Sequence, residues 1–306
     1  MIARMLKLTA QQHMQSFGRW RVSRRAENVR EPVLRDVKRG YALSETHEFT
    51  ATGPGGDHRI LVAVPPGKPP ASGYPVLFVT DANAVFGAAV DAARLQMPWP
   101  EVSAVSPFMI VGIGYTCRLP FDHRRRSWDL APPLRNPSWR SPLGLPWHRP
   151  GGADAFMDFL TGPLTDALGK RYPVDRKARG ICGLSLGGTF ALYAYATRPD
   201  MFSSHAAVSP ALWFDDGRVI DELKRLSAQS RPKTRVFIGV GGQEIPGEPG
   251  VCEMMLGMSR EAAREIERIG SKTLLVEYDG ENHQSTIIAA MPRIMREAAA
   301  GFRCTG

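Results

Sequence analysis

Short apolar runs recur along most of the chain and alternate with segments in which apolar residues repeat at helical spacing. Runs of about four to eight residues rich in branched or aromatic side chains are typical of strands, and longer segments with a three- or four-residue apolar spacing are typical of helices. The strand-like runs are Tyr74–Thr80, Phe108–Gly114, Gly180–Leu184, His205–Val208, Val236–Val240 and Thr273–Tyr278. The helix-like segments lie near residues 84–95, 152–170, 186–197, 218–228, 253–269 and 284–301. This alternation predicts an α/β fold with a mostly parallel, twisted sheet and helices on both faces.

Two further strand-like runs precede this alternation. His47–Ala51 and Ile60–Val64 lie on either side of the turn-like sequence Gly-Pro-Gly-Gly-Asp at residues 53–57. Glycine and proline between two such runs are typical of a hairpin. We therefore predict an antiparallel N-terminal strand pair, and a single α/β domain over residues 41–306.

One long segment interrupts the alternation. Residues 129–150 contain six Pro and two Trp, Trp139 and Trp147, and show neither apolar period. A stretch of this length without regular structure is uncommon inside a compact domain, and in many proteins it forms a lid or a binding loop. We predict a lid or substrate loop there.

The positive charge of the chain is local. The net charge is +9, but residues 1–40 hold ten basic and three acidic side chains, and residues 118–149 hold seven Arg and two Asp. The rest of the chain is therefore mildly acidic, which argues against a basic domain that binds nucleic acid. The first segment contains the breakers Gly18 and Pro32 and no sustained period, so we predict a basic, solvated N-terminal arm over residues 1–40.

The cysteines and the N-terminal sequence allow a prediction of the cellular compartment in which the protein works. Cys117, Cys182, Cys252 and Cys304 are each more than fifty residues apart, without a CxxC pair. Scattered cysteines of this kind predict free thiols in a reducing compartment and no metal site. No apolar run reaches the roughly 18 residues of a membrane span, and the first twenty residues lack the apolar core of a secretory signal. We therefore predict a cytoplasmic protein.

The candidate nucleophile lies in the sequence Gly183-Leu-Ser185-Leu-Gly187, which matches G-x-S-x-G. A strand-like run ends just before Ser185 and a helix-like segment begins just after it. This order suits a nucleophile elbow, in which a strained turn between strand and helix lifts the serine hydroxyl above the sheet. Small residues let such a turn close. The pattern predicts Ser185 as the nucleophile of an acyl-transfer reaction.

A serine nucleophile needs a base, and in this type of fold the chain order is serine, acid, histidine. After Ser185 the chain contains two histidines, His205 and His283. His205 lies inside an apolar run and is better explained as a core or sheet-face residue. His283 lies in a polar, glycine-containing loop beyond the last strand-like run, where catalytic groups commonly occur. We predict His283 as the general base.

The acid that orients the histidine should follow a strand between these two residues. Glu244 follows the run Val236–Val240 and is the favoured candidate. Asp215 and Asp216, which follow the preceding run, are the alternatives.

Several blocks of the sequence, taken in order, resemble a known family. They are YPVLFVTDANAVFG (74–87), VGIGY (111–115), FDHRRRSWDLAP (121–132), GGADAFMDFL (151–160), RYPVDRKARGICGLSLGGTFALYA (171–194), SPALWFDDG (209–217) and DGENHQS (279–285). Together they resemble the putative-esterase branch of the α/β-hydrolases, and within it the trilactone siderophore esterases that open ferric enterobactin-type ligands. The resemblance covers most of residues 45–300. It implies an α/β-hydrolase fold and a serine esterase that works through an acyl-enzyme without a metal or organic cofactor.

The resemblance also implies an oxyanion hole. One donor is the backbone N–H that follows the nucleophile, here that of Leu186. The other comes from the loop after the first central strand, here Ala82 or Asn83. Such donors stabilise the tetrahedral oxyanion and each contribute roughly 3 kcal/mol to lowering the barrier. Independently of the resemblance, Asp81-Ala-Asn is also typical of a helix N-cap.

Substrate contacts are implied by the same resemblance. In the family an arginine of the HRRR block contacts the substrate, and Arg125 or Arg126 is the match. Trp128 and Trp213 add aromatic surface. Guanidinium groups and aromatic rings suit an anionic, aromatic ester such as a ferric catecholate siderophore. A basic surface loop, or an arginine paired with Asp129, would explain the same block without a substrate.

Two other functions are open on the sequence alone. The first is a general carboxylesterase or an aryl or acetyl esterase without a siderophore role. The second is a non-catalytic binding protein on a hydrolase scaffold, whose basic arm engages nucleic acid or an acidic partner. The paired serine and histidine favour an enzyme with a small-molecule ester substrate and no nucleic-acid partner.

Overall fold

Eight strands form one sheet in residues 43–144, 148–226 and 234–303, the parts of the chain that the computed structural model describes. The predicted arm at residues 1–40 and Trp147 lie outside these ranges. The strands are β1 (Thr46–Gly53), β2 (Gly56–Ala63), β3 (Tyr74–Thr80), β4 (Met109–Tyr115), β5 (Val174–Leu184), β6 (Ser204–Val208), β7 (Arg235–Gly241) and β8 (Lys272–Tyr278). Their order across the sheet is β1-β2-β4-β3-β5-β6-β7-β8.

The sheet is antiparallel at one side and parallel elsewhere. β1 and β2 are antiparallel, and Gly53 lies opposite Gly56, so a two-residue turn joins them. β2 is antiparallel to β4, and the remaining neighbours are parallel. All residues of β4 and β6 are buried, as expected for strands covered on both faces. The predicted hairpin and mostly parallel sheet are confirmed.

Helices cover the sheet on both faces. They are α1 (Ala82–Arg94), α2 (Pro100–Ser103), α3 (His123–Leu130), α4 (Ala153–Phe159), α5 (Thr165–Gly169), α6 (Leu186–Thr197), α7 (Arg218–Arg225), α8 (Pro249–Ile269) and α9 (Thr286–Phe302). Successive side chains of a strand point to opposite faces. In β3, Leu77 and Val79 therefore share one core layer with α1 and α9, whereas Val76 and Phe78 share the other with α6 and α8.

Two predicted boundaries were wrong for local reasons. The helix expected near residues 152–170 is divided, because a π turn at Leu160–Leu164 separates α4 from α5. Pro163 lies in that turn; proline has no N–H with which to continue the helical hydrogen bonds, and a π turn accommodates the interruption. The irregular segment expected from residue 129 begins two residues later, because α3 continues to Leu130.

Two further findings bear on the function. No helix in the described ranges is both long enough and apolar enough to cross a membrane. The same residues contain no group of His, Cys, Asp and Glu side chains arranged to hold a metal ion.

Candidate active site

Ser185 forms the sharp turn between β5 and α6. Its backbone has φ 58° and ψ −115°, a conformation that costs a residue with a side chain on the order of 1–3 kcal/mol. Neighbouring backbone groups stabilise the turn. The N–H of Ser185 donates to the carbonyl of Val208 at 2.8 Å, and its own carbonyl accepts from the N–H of Thr189 at 2.9 Å. The strand-turn-helix geometry of a nucleophile elbow is therefore present.

Glycines close this turn against its neighbours. A Cβ atom at Gly183 would lie 2.5 Å from the backbone carbonyl carbon of Gly187 and 2.5 Å from Oγ1 of Thr80. A Cβ atom at Gly188 would lie 2.9 Å from the carbonyl oxygen of Val208. Separations this short are not found for real Cβ atoms, so the pattern around Ser185 has a steric reason as well as a chemical one.

His283 and Glu244 are in direct contact. Nδ1 of His283, in the loop between β8 and α9, lies 2.6 Å from Oε2 of Glu244, in the loop after β7. The backbone N–H of His283 also donates to the carbonyl of Glu244 at 3.0 Å. Since a carboxylate accepts, Nδ1 carries the proton and Nε2 is the ring nitrogen that can take up another.

The Glu244 carboxylate is fully buried, and donors surround it. Its other oxygen, Oε1, accepts from the Ser209 hydroxyl and from the Gly241 N–H, each at 2.6 Å. Hydrogen bonds to an ionised carboxylate are stronger than those between neutral groups, and together they stabilise the buried charge. Glu244 is thus held as an acceptor for the imidazole N–H.

The serine and the histidine face one cavity of about 520 Å³. Ser185 and His283 line it together with Phe121, His123, Arg126, Ser127, Leu184, Leu186, Ala211, Trp213 and Gln284. Leu186 and Trp213, both expected at the site, are among these residues. The sequence analysis did not predict Phe121, His123 or Gln284 at this cavity. Gln284 could have been predicted, because it directly follows the candidate base His283 in the sequence.

The alternative acids contact other groups. Asp215 accepts a hydrogen bond from the backbone N–H of Arg135 at 2.8 Å and lies 3.8 Å from the guanidinium of Arg218. Asp216 accepts from Nε1 of Trp139 at 3.1 Å. Both carboxylates therefore attach the irregular segment after α3 to the loop after β6.

His205, the other histidine after the nucleophile, is a core residue. It is fully buried on β6, and its Nδ1 lies 3.2 Å from the hydroxyl of Thr234. Burial lowers the pKa of His205 from 6.5 to about 3, because the charged form would lose its hydration. It is therefore neutral at physiological pH, as its apolar run suggested.

Arg126 reaches the cavity, but its guanidinium is engaged. Nε and Nη2 donate to the two carboxylate oxygens of Asp81 at 3.0 and 2.8 Å, and Nη2 also lies 3.4 Å from the carbonyl of Leu184. Burial alone would lower the pKa of Arg126, but the charge and hydrogen bonds of Asp81 outweigh it and raise the pKa. Arg126 thus connects the loop after β3 to the residue before Ser185.

Asp81 occupies the N-cap position of α1 without capping it through its side chain. The next residues, Ala82 and Asn83, begin the helix at the carboxyl end of β3. The Asn83 side chain donates to the carbonyls of Tyr115 and Cys117 at 3.0 and 2.9 Å and accepts from the Tyr115 N–H at 3.0 Å. These bonds fix the start of α1 against the end of β4. Among the expected oxyanion residues, Leu186 lines the cavity, whereas Ala82 and Asn83 are not among its lining residues.

Arg125 and Trp128 lie along a different surface of α3. With Arg124, His148, Arg149 and Pro150 they line a groove of about 840 Å³, called the cationic groove below. Nη1 of Arg125 donates to the carbonyl of Asp57 at 3.1 Å. The structure therefore separates Arg125 and Trp128 from Arg126, although the three are near neighbours in sequence.

Asp129 has a partner that the sequence analysis missed. Its Oδ2 lies 3.0 Å from Nε2 of His58, both side chains are fully buried, and the Arg125 guanidinium is 4.0 Å away. The sequence did contain an indication that His58 is buried. His58 alternates with Ile60 and Val62, which places the histidine on a buried face of β2. The pair joins β2 to α3.

Comparison with known proteins identifies the family. The sequence profile of the putative esterase family matches residues 51–298, about four-fifths of the chain. The chain belongs to this esterase family. It is a carboxylic ester hydrolase, and the predictions of fold and enzyme class are confirmed.

Two proteins with known names and one solved structure are similar to this esterase. It is 30% identical to the ferri-bacillibactin esterase BesA of Bacillus subtilis, over 79% of this chain and 84% of that protein. It is also 30% identical to the siderophore triacetylfusarinine C esterase of Aspergillus fumigatus, over 72% of this chain and 79% of that protein. The crystal structure of the BES protein from Bacillus cereus superposes with a TM-score of 0.77 at 28% identity, over 86% of this chain and 99% of that one.

Proposed function

We propose that this esterase cleaves its substrate with Ser185 as nucleophile, His283 as general base and Glu244 as the group that orients His283. The Ser185 oxygen attacks the ester carbonyl while its proton passes to Nε2 of His283. The tetrahedral intermediate then expels the alcohol, which takes that proton, and leaves an acyl-enzyme. Water, activated by His283, attacks the acyl-enzyme and releases the acid and the free serine. The observation that carries this proposal is the 2.6 Å contact between His283 and the buried Glu244, beside a cavity that Ser185 and His283 both line.

The proposed oxyanion hole uses backbone N–H groups of Leu186 and of Ala82 or Asn83. Leu186 is the first residue of α6, where the N–H groups of a helix are not yet used and the positive end of its dipole lies. Two contacts support the proximity of the second loop. A Cβ atom at Gly187 would lie 3.6 Å from Oδ2 of Asp81, and Arg126 binds both Asp81 and the carbonyl before Ser185.

The proposed substrate is the trilactone of a ferric catecholate siderophore, with the iron as part of the substrate. Opening one ester of a trilactone yields one carboxylate and one hydroxyl on the same chain. The named relatives act on siderophores, which supports this substrate. The cationic groove supports it as well, since Arg124 and Arg149 have no carboxylate partner in the described ranges and Trp128 adds an aromatic surface. Such a groove suits an anionic, aromatic ligand.

A substrate panel tests this proposal. We expect wild-type enzyme to open a ferric trilactone with a kcat/KM above that for p-nitrophenyl acetate, and Ser185→Ala to lose both activities and fluorophosphonate labelling. A preference for simple acyl esters by orders of magnitude would instead support a general carboxylesterase. If Ser185→Ala kept the turnover and the labelling, the proposed nucleophile would be wrong.

We also propose a cytoplasmic location. Cys117, Cys182 and Cys252 are unpaired, and burial raises the pKa of Cys182 to about 12, which keeps it a thiol. Scattered thiols of this kind suit a reducing compartment. Recovery of the protein from the soluble cytoplasmic fraction of its cells is the expected result, and recovery from a secreted fraction would contradict it.

A further inference from the structure

The strand β8, one of the two outermost strands of the sheet, has a free edge. The strand order ends at β8, so only β7 pairs with it. The Gly242 N–H donates to the carbonyl of Tyr278 at 2.8 Å, so the backbone of Tyr278 faces β7. Backbone groups of successive strand residues point to alternate sides. The N–H and C=O groups of Thr273, Leu275 and Glu277 therefore face away from β7, and they have no hydrogen-bond partner in the described ranges.

The two edges of the sheet differ in how they are protected. Proteins commonly protect an edge strand from pairing by means of a charged residue, a proline or a bulge. The other edge strand, β1, carries the exposed Glu48 in its middle. In β8 the charged residues lie only near the ends, and the seven pairs with β7 run without a register shift. Leu274, Leu275 and Val276 are each partly exposed. The middle of β8 is therefore apolar and unprotected.

We infer that β8 pairs with β8 of a second copy of this chain, in an antiparallel arrangement about a two-fold axis at Leu275. Such an interface uses the same residues on both subunits. Leu275 then lies opposite Leu275 of the partner subunit, and Thr273 lies opposite Glu277 of the partner subunit, each as a hydrogen-bonded pair. The two eight-stranded sheets become one. Because the paired strands run in opposite directions, the two candidate active sites lie at opposite edges of that sheet.

Length and charge select this register. When the pair is centred on Leu275, all seven residues of β8 are paired. Lys272 then lies opposite Tyr278 of the partner subunit, and Glu277 lies opposite Thr273 of the partner subunit, so no like charges meet. Any other register in which the free backbone groups meet leaves at least two residues of β8 unpaired. A pair centred on Glu277 would also bring two carboxylates together, which is unfavourable.

Both faces of the joined sheet have room for this pairing. On one face α9 packs mainly over β5, β6 and β7, so Leu274, Val276 and Tyr278 extend the apolar layer towards the same residues of the partner. On the other face α8 packs on both β7 and β8, so its axis lies about half a strand spacing inside β8. With the paired strands about 4.8 Å apart, the two α8 helices would be roughly 10 Å apart, an ordinary packing distance for helices.

Disulfide trapping tests the register. In Leu275→Cys the two Cα atoms would be about 5.5 Å apart, within the range that a disulfide spans, so we expect mild oxidation to convert most of the protein to a covalent dimer. Thr273→Cys is the matched control on the same face of the same strand. Its two Cα atoms would be about 14 Å apart, which is too far for a disulfide. This control should show no more linkage than wild type, whose own cysteines are free. Equal linkage in both variants would overturn the inference.

Sedimentation velocity of the full chain tests the association itself. We expect wild-type protein to form, with increasing concentration, a species of twice the monomer mass of 33.7 kDa. Leu275→Lys should raise the dissociation constant about ten-fold or more, because it places two like charges opposite each other. Val102→Lys adds the same charge on α2, at a residue that is 77% exposed, and should leave the dissociation constant unchanged.

The remaining outcomes are also decisive. Wild-type protein that stays monomeric, or that forms assemblies larger than a dimer, would overturn the inference. The unfolding midpoint of each variant checks its fold. If Leu275→Lys does not fold, Thr273→Pro serves as the second variant, because proline removes an N–H that faces away from β7. It should weaken the dimer by a similar factor, and an unchanged dissociation constant would overturn the pairing. None of these measurements depends on Ser185, so the proposed mechanism is tested separately.

Discussion

Glu244 and Asp215 are both buried carboxylates beyond the carboxyl ends of neighbouring strands, and they differ in their partners. Glu244 contacts His283, the Ser209 hydroxyl and the Gly241 N–H. Asp215 is surrounded by Arg135 and Arg218. A carboxylate beside a neutral imidazole can orient that ring and stabilise its charged form, whereas one between two guanidinium groups serves to attach a loop. The two residues should therefore respond differently to removal of their charge.

Glu244→Gln should lower kcat by about 10²–10⁴ with a smaller change in KM, because an amide no longer stabilises the imidazolium that forms during catalysis. Steady-state kinetics with a chromogenic ester measure this. Asp215→Asn is the matched control and should keep kcat within about ten-fold, while it lowers the free energy of unfolding. A larger loss of kcat in Asp215→Asn than in Glu244→Gln would contradict the proposed acid.

The elements that build the elbow are β5, α6 and β6, and their close approach depends on small residues. The turn at Ser185 stays strained because its N–H and carbonyl bond to groups on β6 and α6. Where Gly183 passes Gly187 and Thr80 there is no space for a methyl group. The nucleophile elbow therefore requires β5 and α6 to pack closer together than residues with ordinary side chains would allow.

Gly183→Ala should lower the free energy of unfolding by about 1–3 kcal/mol or more and reduce esterase activity, because the added Cβ displaces the elbow. Gly257→Ala provides the contrast. It lies on an exposed part of α8 with nothing within 4 Å of the added atom, so it should raise the free energy of unfolding by about 0.5–1 kcal/mol. Urea unfolding of both variants measures the difference, and equal effects would contradict the steric explanation.

Across the whole molecule, the parallel strands bring distant loops to one edge of the sheet. Asp81 follows β3, Ser185 follows β5, Glu244 follows β7 and His283 follows β8, all at carboxyl ends. This is where open α/β sheets bind their ligands. The sheet also carries a buried, neutral histidine, His205, which links the stability of the entire domain to pH.

Stability should fall with acid partly through His205. Its folded-state pKa of about 3 lies below the ordinary 6.5, so the unfolded chain binds the proton first. The stabilising contribution is complete above about pH 6.5 and is lost, at about 1.4 kcal/mol per pH unit, as the pH falls towards about 3. Urea unfolding between pH 7 and 4 should show a shallower loss in His205→Leu. A wild-type slope in His205→Leu would contradict this assignment.

We expect the cationic groove to attract an anionic substrate through its positive charge. Arg124→Gln with Arg149→Gln should lower kcat/KM for an anionic ferric trilactone about three- to ten-fold at low ionic strength and less at high salt, because salt screens exposed charges. Turnover of neutral p-nitrophenyl acetate provides the reference. Lys170→Gln with Lys177→Gln removes the same charge near the start of β5, away from Ser185, and should have little effect. Equal losses in both double variants would contradict a local role for the groove.

The sequence by itself determined the alternation of strands and helices, the hairpin at Gly53–Gly56 and the turn at Ser185. These features depend on residues that are close together in the sequence. The spacing of apolar residues and the positions of glycines therefore predict them directly. Pro163 was also visible in the sequence, but its effect on the helix needed the backbone geometry.

Only the tertiary structure decided which distant groups meet. Arg126 and Asp81 are 45 residues apart and Glu244 and His283 are 39 apart, so sequence order left their pairing open. The helix α3 sends Arg126 towards Asp81 and Arg125 towards the cationic groove, a division that three consecutive arginines do not reveal. The cavity at Ser185 likewise joins Phe121, Leu186 and His283 from three separate segments. Local patterns reflect local sterics and burial, whereas ion pairs and cavities depend on how the strands are ordered in the sheet.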